Sequence, residues 1–349
     1  MVRLFRGSSP RPIIEYLTTD NEEGVNWVKI GDVPTSGRII TSTEEKITKE
    51  GAKKSRHVYV GDLILSNSMS YGLPYIMGIE GCIHDGWFVL RDYEQNFNKD
   101  YLCNLLISDI VQKQYKKIAA GGVVQNISSD LVNSVYISIP SLDEQRKIAG
   151  LLSLIDERIA TQNKIIDKLQ SLIKGIAQNI VRYNKANVRL SDCLSCSSST
   201  LQESDVSEHG TYPVYGANGV VGYLDNYNTE NEAIYIIKDG SGVGSTSYVT
   251  GKCSATGTLN ILRAKEGYSL QYLYYMLKVF NFEPYKTGMA IPHIYFKDYG
   301  KAKVFCPTYK EQLQYARLLS AIDKRLTVEH GLLTSLSLQK QYLLRQMFI

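Results

Sequence analysis

The sequence predicts an α+β fold. We expect two mainly-β domains with small helices, joined by two long antiparallel helices that form a coiled coil with a pseudo-twofold repeat. Three observations predict this arrangement. One passage occurs twice along the 349 residues. A seven-residue apolar repeat follows each copy of it. Short β-branched and aromatic runs fill the sequence before each copy.

The repeated passage begins at Pro140 and again at Pro307, 167 residues later. The first copy reads Pro-Ser-Leu-Asp-Glu-Gln-Arg-Lys-Ile-Ala-Gly-Leu-Leu-Ser-Leu-Ile-Asp-Glu-Arg. The second reads Pro-Thr-Tyr-Lys-Glu-Gln-Leu-Gln-Tyr-Ala-Arg-Leu-Leu-Ser-Ala-Ile-Asp-Lys-Arg. Solenoid repeats are several-fold shorter, so we interpret the chain as two copies of a domain-plus-helix unit. The predicted segments are a first domain at 1–139, a first spacer helix at 140–184, a second domain at 185–306 and a second spacer helix at 307–349.

Each copy opens a long helix. Ser141 precedes Glu144 by three residues, as Thr308 precedes Glu311, and this is the spacing of a capping box. Apolar residues then recur at alternating steps of four and three for about four and a half heptads, which is typical of a coiled-coil seam. The predicted pairing seam includes Ile148, Leu152, Ile155, Ile159, Gln162, Ile166, Leu319, Ile322, Leu326, Glu329, Leu333 and Leu336.

A single helix of this length cannot bury its apolar stripe alone, so we expect the two helices to pack on each other. The alternative is two separate amphipathic helices, each lying on its own domain. Gln162 and Glu329 occupy the same seam position near the middle of each helix. We expect them to form a polar layer that fixes the register, and Gln162→Leu to raise stability.

The two domains are predicted to be rich in strands. In the first domain, β-branched and aromatic runs include 58–60, 62–65, 87–90 and 135–139. In the second, the corresponding runs are 233–237, 259–262 and 303–305. One helix is expected in each domain, at 99–113 and at 269–280. The repeat aligns Tyr101 with Tyr268 and Ile127 with Ile294. A shared frame with divergent surfaces indicates two similar tasks on two different targets.

The sequence offers no constellation typical of an active site. The five histidines are scattered, none at metal-ligand spacing, and paired catalytic carboxylates are not apparent. Gly240–Gly244 resembles a phosphate loop, but a β-like segment follows it where a nucleotide site needs a helix. We therefore predict neither catalytic nor metal-binding residues, although an enzyme with an unrecognised site is an alternative class.

Composition constrains the remaining choices weakly. The formal net charge of +4 neither favours nor excludes nucleic acid. The six cysteines lack a disulfide framework, and Cys193 with Cys196 is read as two unlinked thiols in a reduced cytoplasm. No apolar run reaches the length of a membrane span, so a membrane partner is not expected. The 25 tyrosines suit half-buried strands and wet recognition surfaces alike.

Several loops carry side chains suited to DNA. Lys and Arg can neutralise phosphates, whereas Asn, Ser and Tyr side chains can read base edges. For each residue the alternative is an ordinary solvated surface. The whole set of residues indicates DNA binding more strongly than any one of them. The candidates in the first domain are Arg11, Lys53, Lys54, Arg56, Asn67, Ser70, Tyr71, Lys116 and Lys117. Those in the second are Tyr215, Asn218, Lys238, Ser241, Thr246 and Lys286.

Taken in order, these features resemble the specificity subunit of type I restriction–modification systems. The most specific are the two Pro-Ser/Thr-x-x-Glu-Gln helix openings with their Leu-Leu-Ser-x-Ile-Asp-x-Arg continuations. Gly7–Pro12, Val25–Asp32, Gly61–Ser66 and Tyr212–Gly219 are also similar to the family. The resemblance covers nearly the whole chain.

The resemblance implies a non-catalytic subunit with two target-recognition domains, each reading one half of a bipartite site in double-stranded DNA. It also implies that the helices dock two methyltransferase subunits and that restriction subunits join the complex. This chain would then need no cofactor, while S-adenosylmethionine, ATP and magnesium would act on the partner subunits. The assembled complex would be an adenine-specific DNA methyltransferase and ATP-dependent endonuclease in the cytoplasm.

One departure from the family concerns the start of each domain. The second domain begins with the strand and turn 187–194, whereas in the first Met1 falls almost directly on Gly7–Pro12. This leads us to expect a truncated or rearranged specificity-subunit fragment as one alternative. A second alternative is a non-catalytic scaffold that binds protein or glycan. A salt titration of DNA binding would separate the scaffold from a DNA-recognition subunit.

Overall fold

A computed structural model of the chain describes residues 2–20, 22–35, 37–67, 72–119, 127–288 and 290–348. They divide into two compact units. The first unit comprises Met1–Thr161 and Leu333–Ile349, and the second comprises Gln162–Leu332. Both long helices therefore contribute residues to both units.

The first unit contains the following elements among its described residues. The strands are β1 (Arg3–Arg6), β2 (Leu17–Thr18), β3 (Val25–Val28), β4 (Ile39–Ile40), β5 (Glu45–Ile47), β6 (Arg56–Val58), β7 (Leu63–Ser66), β8 (Pro74–Met77), β9 (Gly81–Ile83) and β10 (Trp87–Arg91). The helices are α1 (Lys49–Lys53), α2 (Lys99–Ile107), α3 (Asp109–Ala119), α4 (Ser129–Asn133) and the long α5 (Leu142–Arg182), which continues into the second unit. Short 3₁₀ turns lie at Ile13–Glu15 and Ile30–Asp32.

The second unit contains a corresponding set. Its strands are β11 (Val188–Arg189), β12 (Leu194–Ser198), β13 (Tyr212–Gly216), β14 (Gly219–Leu224), β15 (Ala233–Ile237), β16 (Thr246–Val249), β17 (Ser254–Ala255), β18 (Leu259–Ala264) and β19 (Lys303–Val304). Its helices are α6 (Leu190–Cys193), α7 (Leu270–Lys278), α8 (Phe296–Tyr299) and the long α9 (Tyr309–Met347), which ends in the first unit. Short 3₁₀ turns lie at Glu203–Asp205 and Glu283–Tyr285.

The two units share the order of strands in their main sheets. The first unit has β1-β10-β7-β8, extended by β4, and the second has β12-β18-β15-β16. These neighbours are antiparallel in both units. In a second sheet of each unit a two-residue parallel pairing recurs, β3 with β9 and β13 with β17. The duplication predicted from the helices therefore extends through the β-sheets, and the predicted α+β fold is confirmed.

Apolar residues on one face of each main sheet pack against a helix. In the first unit, Leu63, Leu65 and Leu90 belong to one buried cluster with α2. In the second, Ile234, Ile236 and Leu262 form a buried cluster with α7. Successive side chains of a strand point to opposite faces of the sheet, so every second residue faces the helix.

The long helices pair antiparallel within each unit. In the first unit, Ala149 and Leu152 near the start of α5 share a buried cluster with Phe348 after the end of α9. In the second, Ile173 and Ile180 near the end of α5 are clustered with Leu319 near the start of α9. All twelve residues predicted for the pairing seam are buried or half-buried. The predicted pairing is therefore favoured over helices that lie separately on their own domains.

Both long helices begin with the predicted capping boxes. The Ser141 hydroxyl and backbone N–H both donate to Glu144, at 2.8 and 3.0 Å. Thr308 makes the same pair of bonds to Glu311, at 2.6 and 3.1 Å. These bonds satisfy backbone groups that lack a partner in the first turn of a helix.

A buried glutamine follows each capping box and connects the long helix to its domain. Gln145 accepts from the backbone N–H of Asn98, which caps α2, at 2.8 Å. Gln312 accepts from the backbone N–H of Ser269, which caps α7, at 2.9 Å. Each glutamine also donates to the carbonyl of the proline that precedes its helix. The repeated glutamine thus links each long helix to the equivalent domain helix, α2 in the first unit and α7 in the second.

The predicted polar contact lies in the seam of the second unit. The Gln162 amide donates to the Glu329 carboxylate and, at 3.1 Å, to the Glu329 backbone carbonyl. Arg325 forms an ion pair with the other carboxylate oxygen. Glu329 is only 2% exposed, so its buried carboxylate is stabilised by these two partners. The first unit has a different polar contact, an ion pair between Lys340 and Asp156.

Three expectations from the sequence were wrong in detail. The predicted strand 135–139 has no regular secondary structure and pairs with no described strand. The single helix predicted at 99–113 is two helices, because Ser108 is extended with a ψ of 154° between α2 and α3. The equivalent of Tyr101 is Tyr272 and not Tyr268, since both occupy the third position after a capping residue.

Candidate nucleic-acid interface

A cluster of exposed cationic side chains lies at one edge of the first unit. Arg56 donates through Nε to the backbone carbonyl of Arg6 at 3.2 Å, and its guanidinium lies 5.4 Å from the centre of the Phe5 ring. Lys54 lies over the Tyr16 ring and donates to its hydroxyl. These contacts hold the side chains in place without neutralising them. We name Arg6, Lys54 and Arg56 the basic cluster.

A carboxylate fixes the loop next to the basic cluster. Asp85 accepts from the Ser9 hydroxyl at 2.9 Å and from Arg11 at 3.4 Å. Arg6 donates to the Asp85 backbone carbonyl at 3.3 Å. Arg11, a predicted DNA-binding residue, keeps a largely exposed side chain although it is paired with Asp85. Arg6, which lies on β1, was not among the residues predicted to bind DNA.

Asn67 is placed differently from the exposed candidates. Its side chain is 4% exposed and its amide donates to the Asp85 carbonyl at 2.8 Å. In this position the side chain supports the Asp85 loop rather than offering a free base-reading edge. Ser70 and Tyr71, predicted beside it, lie outside the described residues.

Three further candidates of the first unit are exposed lysines. Lys53 lies in the last turn of α1, next to Lys54. Lys116 and Lys117 lie in the last turn of α3. Among the described residues, the α3 lysines share no hydrogen bond, ion pair or ring contact with the basic cluster.

In the second unit, two loops carrying candidate residues are hydrogen-bonded to each other. Asp239 follows Lys238 and lies 2.6 Å from Nδ1 of His293. The Gly240 N–H donates to the Pro292 carbonyl at 3.0 Å, and Thr287 and His293 exchange backbone hydrogen bonds. These contacts hold the half-buried Lys238 and the exposed Ser241 on one ordered turn.

The glycine-rich loop 240–244 has a structural explanation. Gly240, Gly242 and Gly244 all have φ between 84° and 91°, a backbone conformation that favours glycine. A Cβ atom at Gly244 would lie 2.9 Å from the Phe282 ring. β16 follows the loop, as the sequence predicted, so the helix N-terminus of a nucleotide-binding loop is not present here.

Thr246 and Lys286 line one surface cavity of about 400 Å³. The Lys286 ammonium group lies 2.5 Å from a Glu283 oxygen, so its charge is partly compensated inside the protein. The structure therefore brings these two candidates together, with Ser245 and Asn281 beside them.

The remaining candidates lie on the hairpin of β13 and β14. Asn218 is exposed at the turn that connects the two strands. Tyr215 is half-buried, with its ring 5.8 Å from that of Tyr235. Burial raises the pKa of the Tyr215 hydroxyl. Asn218 is thus free to meet a ligand, whereas Tyr215 largely supports the hairpin.

Sequence reasoning missed a cationic group on the same unit. Lys252 lies 4.7 Å from the Tyr227 ring centre and 5.9 Å from that of Tyr212. The pKa of Lys252 is raised, chiefly by its contact with the Tyr227 hydroxyl. These residues are distant in sequence, so only the fold brings them together.

Other site types find little support in the described residues. No group of three or more His, Cys, Asp or Glu side chains among them is placed to hold a metal ion. The six cysteines are free thiols, and Cys193, Cys196 and Cys306 pack in one core cluster of the second unit. None of the helices in this part of the chain is both long and apolar enough to span a membrane.

The repeated architecture matches one known family. The type I restriction–modification DNA specificity domain matches twice, at residues 10–171 and 184–338. The two matches cover most of the chain, and each spans one domain with its following helix. The chain belongs to the family of type I restriction–modification specificity subunits, which recognise DNA.

Individual relatives are distant in sequence. The chain is 20% identical over 330 residues to the type I restriction enzyme EcoprrI specificity subunit of Escherichia coli, covering 86% of this chain and 80% of that protein. The crystal structure of the type I S subunit from M. genitalium is similar in fold, with a TM-score of 0.62 and 17% identity, covering 100% of this chain and 94% of that one. A chain from a study of complex assembly and conformational transition of the type I R-M system gives a TM-score of 0.58 at 17% identity, covering 98% and 96%.

Proposed function

We propose that the chain is the DNA sequence-recognition subunit of a type I restriction–modification complex and that it is not itself catalytic. Each domain reads one half of a bipartite target. The observation that carries this proposal is the double family match, at 10–171 and 184–338. Two recognition domains with similar frames and different loops suit two different half-sites.

The methylated motif provides the most direct test. We expect methylome sequencing of cells with the gene to show a bipartite adenine-methylated motif that disappears when the gene is deleted. Restoring the gene should restore the motif. A methylome that is unchanged by deletion would contradict the proposed role.

Phosphate contacts are assigned to the exposed cations, above all the basic cluster with Lys53 in the first unit and Lys238 with Lys286 in the second. Arg56→Ala should weaken binding evenly across DNA sequences and reduce the salt slope by about one unit. The matched control is Lys147→Ala, which removes an exposed cation from α5. An equal loss in both variants would indicate a general charge effect rather than a contact at this site.

Base contacts are assigned to exposed polar turns, with Asn218 as the best-placed residue. Asn218→Ala should cost about 1–3 kcal/mol of binding free energy and relax the second half-site alone. Ser241→Ala on the glycine-rich loop 240–244 is a second variant with the same expected pattern. If Asn218→Ala degraded both half-sites equally, the assignment of one domain to one half-site would be wrong.

We also propose that the long helices dock two methyltransferase subunits and that restriction subunits join this complex. The supporting observation is a second apolar stripe, outside the pairing seam, that recurs after 167 residues. Leu151 and Ile165 of α5 are 42% and 38% exposed, and their counterparts Leu318 and Leu332 of α9 are 51% and 42% exposed. A duplicated exposed stripe suits two copies of one partner.

Native mass spectrometry of the assembled complex tests this docking. Leu318→Asp should reduce the methyltransferase content from two copies to one, and Leu151→Asp should remove the other copy. Val220→Asp, which changes an equally exposed apolar residue on β14, should leave two copies. Retention of both copies in the Leu318→Asp and Leu151→Asp variants would contradict the assignment.

A further inference from the structure

The second unit contains a strand connection that the described residues of the first unit lack. β11 pairs antiparallel with β19, and the Leu190 N–H donates to the Ala302 carbonyl at 2.9 Å. The Asn187 side-chain amide forms two 2.8 Å hydrogen bonds, one to the backbone N–H and one to the carbonyl of Cys306. Leu190 and Cys193 are fully buried. Residues 187–193 thus add a strand to β19 and help to fill the core beside the start of α9.

Matching hydrogen bonds identify the corresponding segment of the first unit. The Ile127 N–H donates to the backbone carbonyl of Asn67 at 2.8 Å, as the Ile294 N–H donates to the backbone carbonyl of Lys238 at 2.9 Å. The Val135 N–H donates to the Val132 carbonyl, three residues earlier, as the Ala302 N–H donates to Tyr299. The 167-residue offset therefore holds here. It aligns Val135, Ile137 and Ile139 with Ala302, Val304 and Cys306.

This segment has an open edge. Among the described residues, no hydrogen-bond partner is found for the Val135 carbonyl or for the backbone groups of Ile137 and Ile139. Tyr136 lies between Val135 and Ile137 in sequence. Its N–H donates to the Gln114 side-chain oxygen at 3.1 Å, and its carbonyl accepts from the Gln114 side-chain amide at 3.0 Å. Lys303 and Val304, which align with Tyr136 and Ile137, form β19 in the second unit, and backbone groups alternate in direction along a strand. The edge carrying Ile137 therefore corresponds to the edge that β11 occupies in the second unit.

A cavity lies beside this edge. Its volume is about 310 Å³, and it is lined by Tyr101, Leu105, Ile137, Ile139, Met347 and Phe348 among others. In the second unit the equivalent Tyr272, Val304 and Cys306 are packed in one core cluster with Leu190 and Cys193. The cavity thus corresponds to a space that apolar side chains of 187–193 help to fill in the second unit.

We propose that residues 135–139 form an acceptor site for a peptide segment with the chemistry of Asn187–Cys193, in which a two-residue strand is followed by a helical turn. The segment binds antiparallel to Ile137, as β11 does to β19. Its asparagine bonds to the backbone of Ile139, and its leucine and cysteine enter the cavity. Main-chain hydrogen bonds supply affinity in such strand additions, and the pockets supply sequence preference. This site is independent of the proposed DNA recognition.

A binding assay with a synthetic peptide tests the site on the full-length protein. The probe is a fluorescein-labelled peptide of residues 185–196 under reducing conditions. We expect saturable binding by fluorescence anisotropy, weakened at least tenfold by Ile137→Pro, which removes a ladder N–H. Ile14→Asp, at an 80% exposed isoleucine elsewhere in the first unit, should bind normally. Absence of saturable binding, or equal binding by the Ile137→Pro protein, would overturn the proposal.

Disulfide trapping tests the register and does not depend on a buried substitution. In the second unit Cys193 and Cys306 are buried in the same core cluster, and Ile139 takes the place of Cys306 in the first unit. An Ile139→Cys protein should therefore form a disulfide with Cys193 of a peptide carrying Cys196→Ser. Oxidised glutathione accepts the two electrons and two protons and is released as two glutathione molecules. Ser134→Cys, also exposed, should react at least tenfold more slowly. Equal rates at positions 134 and 139 would overturn the proposed register.

Discussion

The two units attach their long helices in the same way but build their outer loops differently. Gln145 and Gln312 make equivalent bonds to the caps of α2 and α7. In contrast, Asp85 fixes the candidate loop of the first unit, whereas an Asp239–His293 pair fixes that of the second. The contacts that hold a domain on its long helix are thus the same in both units. The surfaces that would meet different DNA sequences have changed.

The glutamine contacts give the largest effect by which this comparison can be tested. Gln145 makes three hydrogen bonds, to Asn98, Asn96 and Pro140, so Gln145→Ala should lower the free energy of unfolding by about 3 kcal/mol. Gln312→Ala should cost about 2 kcal/mol because Gln312 makes two such bonds. Urea denaturation measures both values.

The exposed Gln178 of α5 supplies the control for these variants. Gln178→Ala should change the free energy of unfolding by less than about 0.5 kcal/mol. Hydrogen exchange should show lost protection in α2 for Gln145→Ala and in α7 for Gln312→Ala. If both variants loosened the same helix, the two contacts would not be equivalent.

The polar contacts of the seam give the next largest effect. The sequence predicted that Gln162→Leu would be stabilising. Because Glu329 is buried and accepts from Gln162, we now expect this single change to cost about 2 kcal/mol. The double change Gln162→Leu with Glu329→Leu removes the buried charge, and it should equal or exceed the wild-type stability.

The first unit provides the comparison for this pair. Asp156 of the Lys340–Asp156 ion pair is 43% exposed at its side chain. Lys340→Met should therefore cost less than about 1 kcal/mol. Thermal and urea unfolding of the three variants measure the difference. A Gln162→Leu protein more stable than the wild type would support the original expectation from the sequence.

The long helices and the duplicated frame were predictable from the sequence, because heptads and capping boxes are local signals. The strand predicted at 135–139 was wrong, since β-branched residues favour a strand but do not supply a partner, and no described strand pairs with this segment. The break at Ser108 was missed for a similar reason. Helical periodicity continues across it, and only the extended backbone there separates α2 from α3.

The candidate interface was predictable in residue type and less so in placement. Lys54 and Arg56 are adjacent in sequence to a strand and remain exposed, as expected. Asn67 has the same polar character but is buried by its bond to Asp85, a residue 18 positions away. Lys252 was missed because its tyrosine partners are brought to it by the fold. Contacts across the sheet, rather than composition, decide which polar residues face solvent.

The smallest expected effect concerns His84, which supports the Asp85 loop of the first unit. Burial lowers the pKa of His84 from the ordinary 6.5, opposed by the nearby Asp85 and Asp32 and assisted by Lys29. The Gly86 N–H donates to its Nδ1 at 2.6 Å, which favours the neutral ring. The unfolded chain therefore binds a proton more readily than the folded chain. Stability is fully present above pH 6.5 and falls as the pH drops below it.

Unfolding measured between pH 7.5 and pH 5.5 isolates this effect. Carboxylates such as Glu144, whose pKa is held below 4.5 by the Ser141 hydroxyl, lose their contribution only at lower pH. His84→Gln should flatten the stability profile in this window, whereas His209→Gln, at an exposed histidine of the second unit, should leave it unchanged. A wild-type profile that is already flat would contradict a buried neutral His84. A steeper loss in the His84→Gln protein would place the pH-sensitive group elsewhere in the chain.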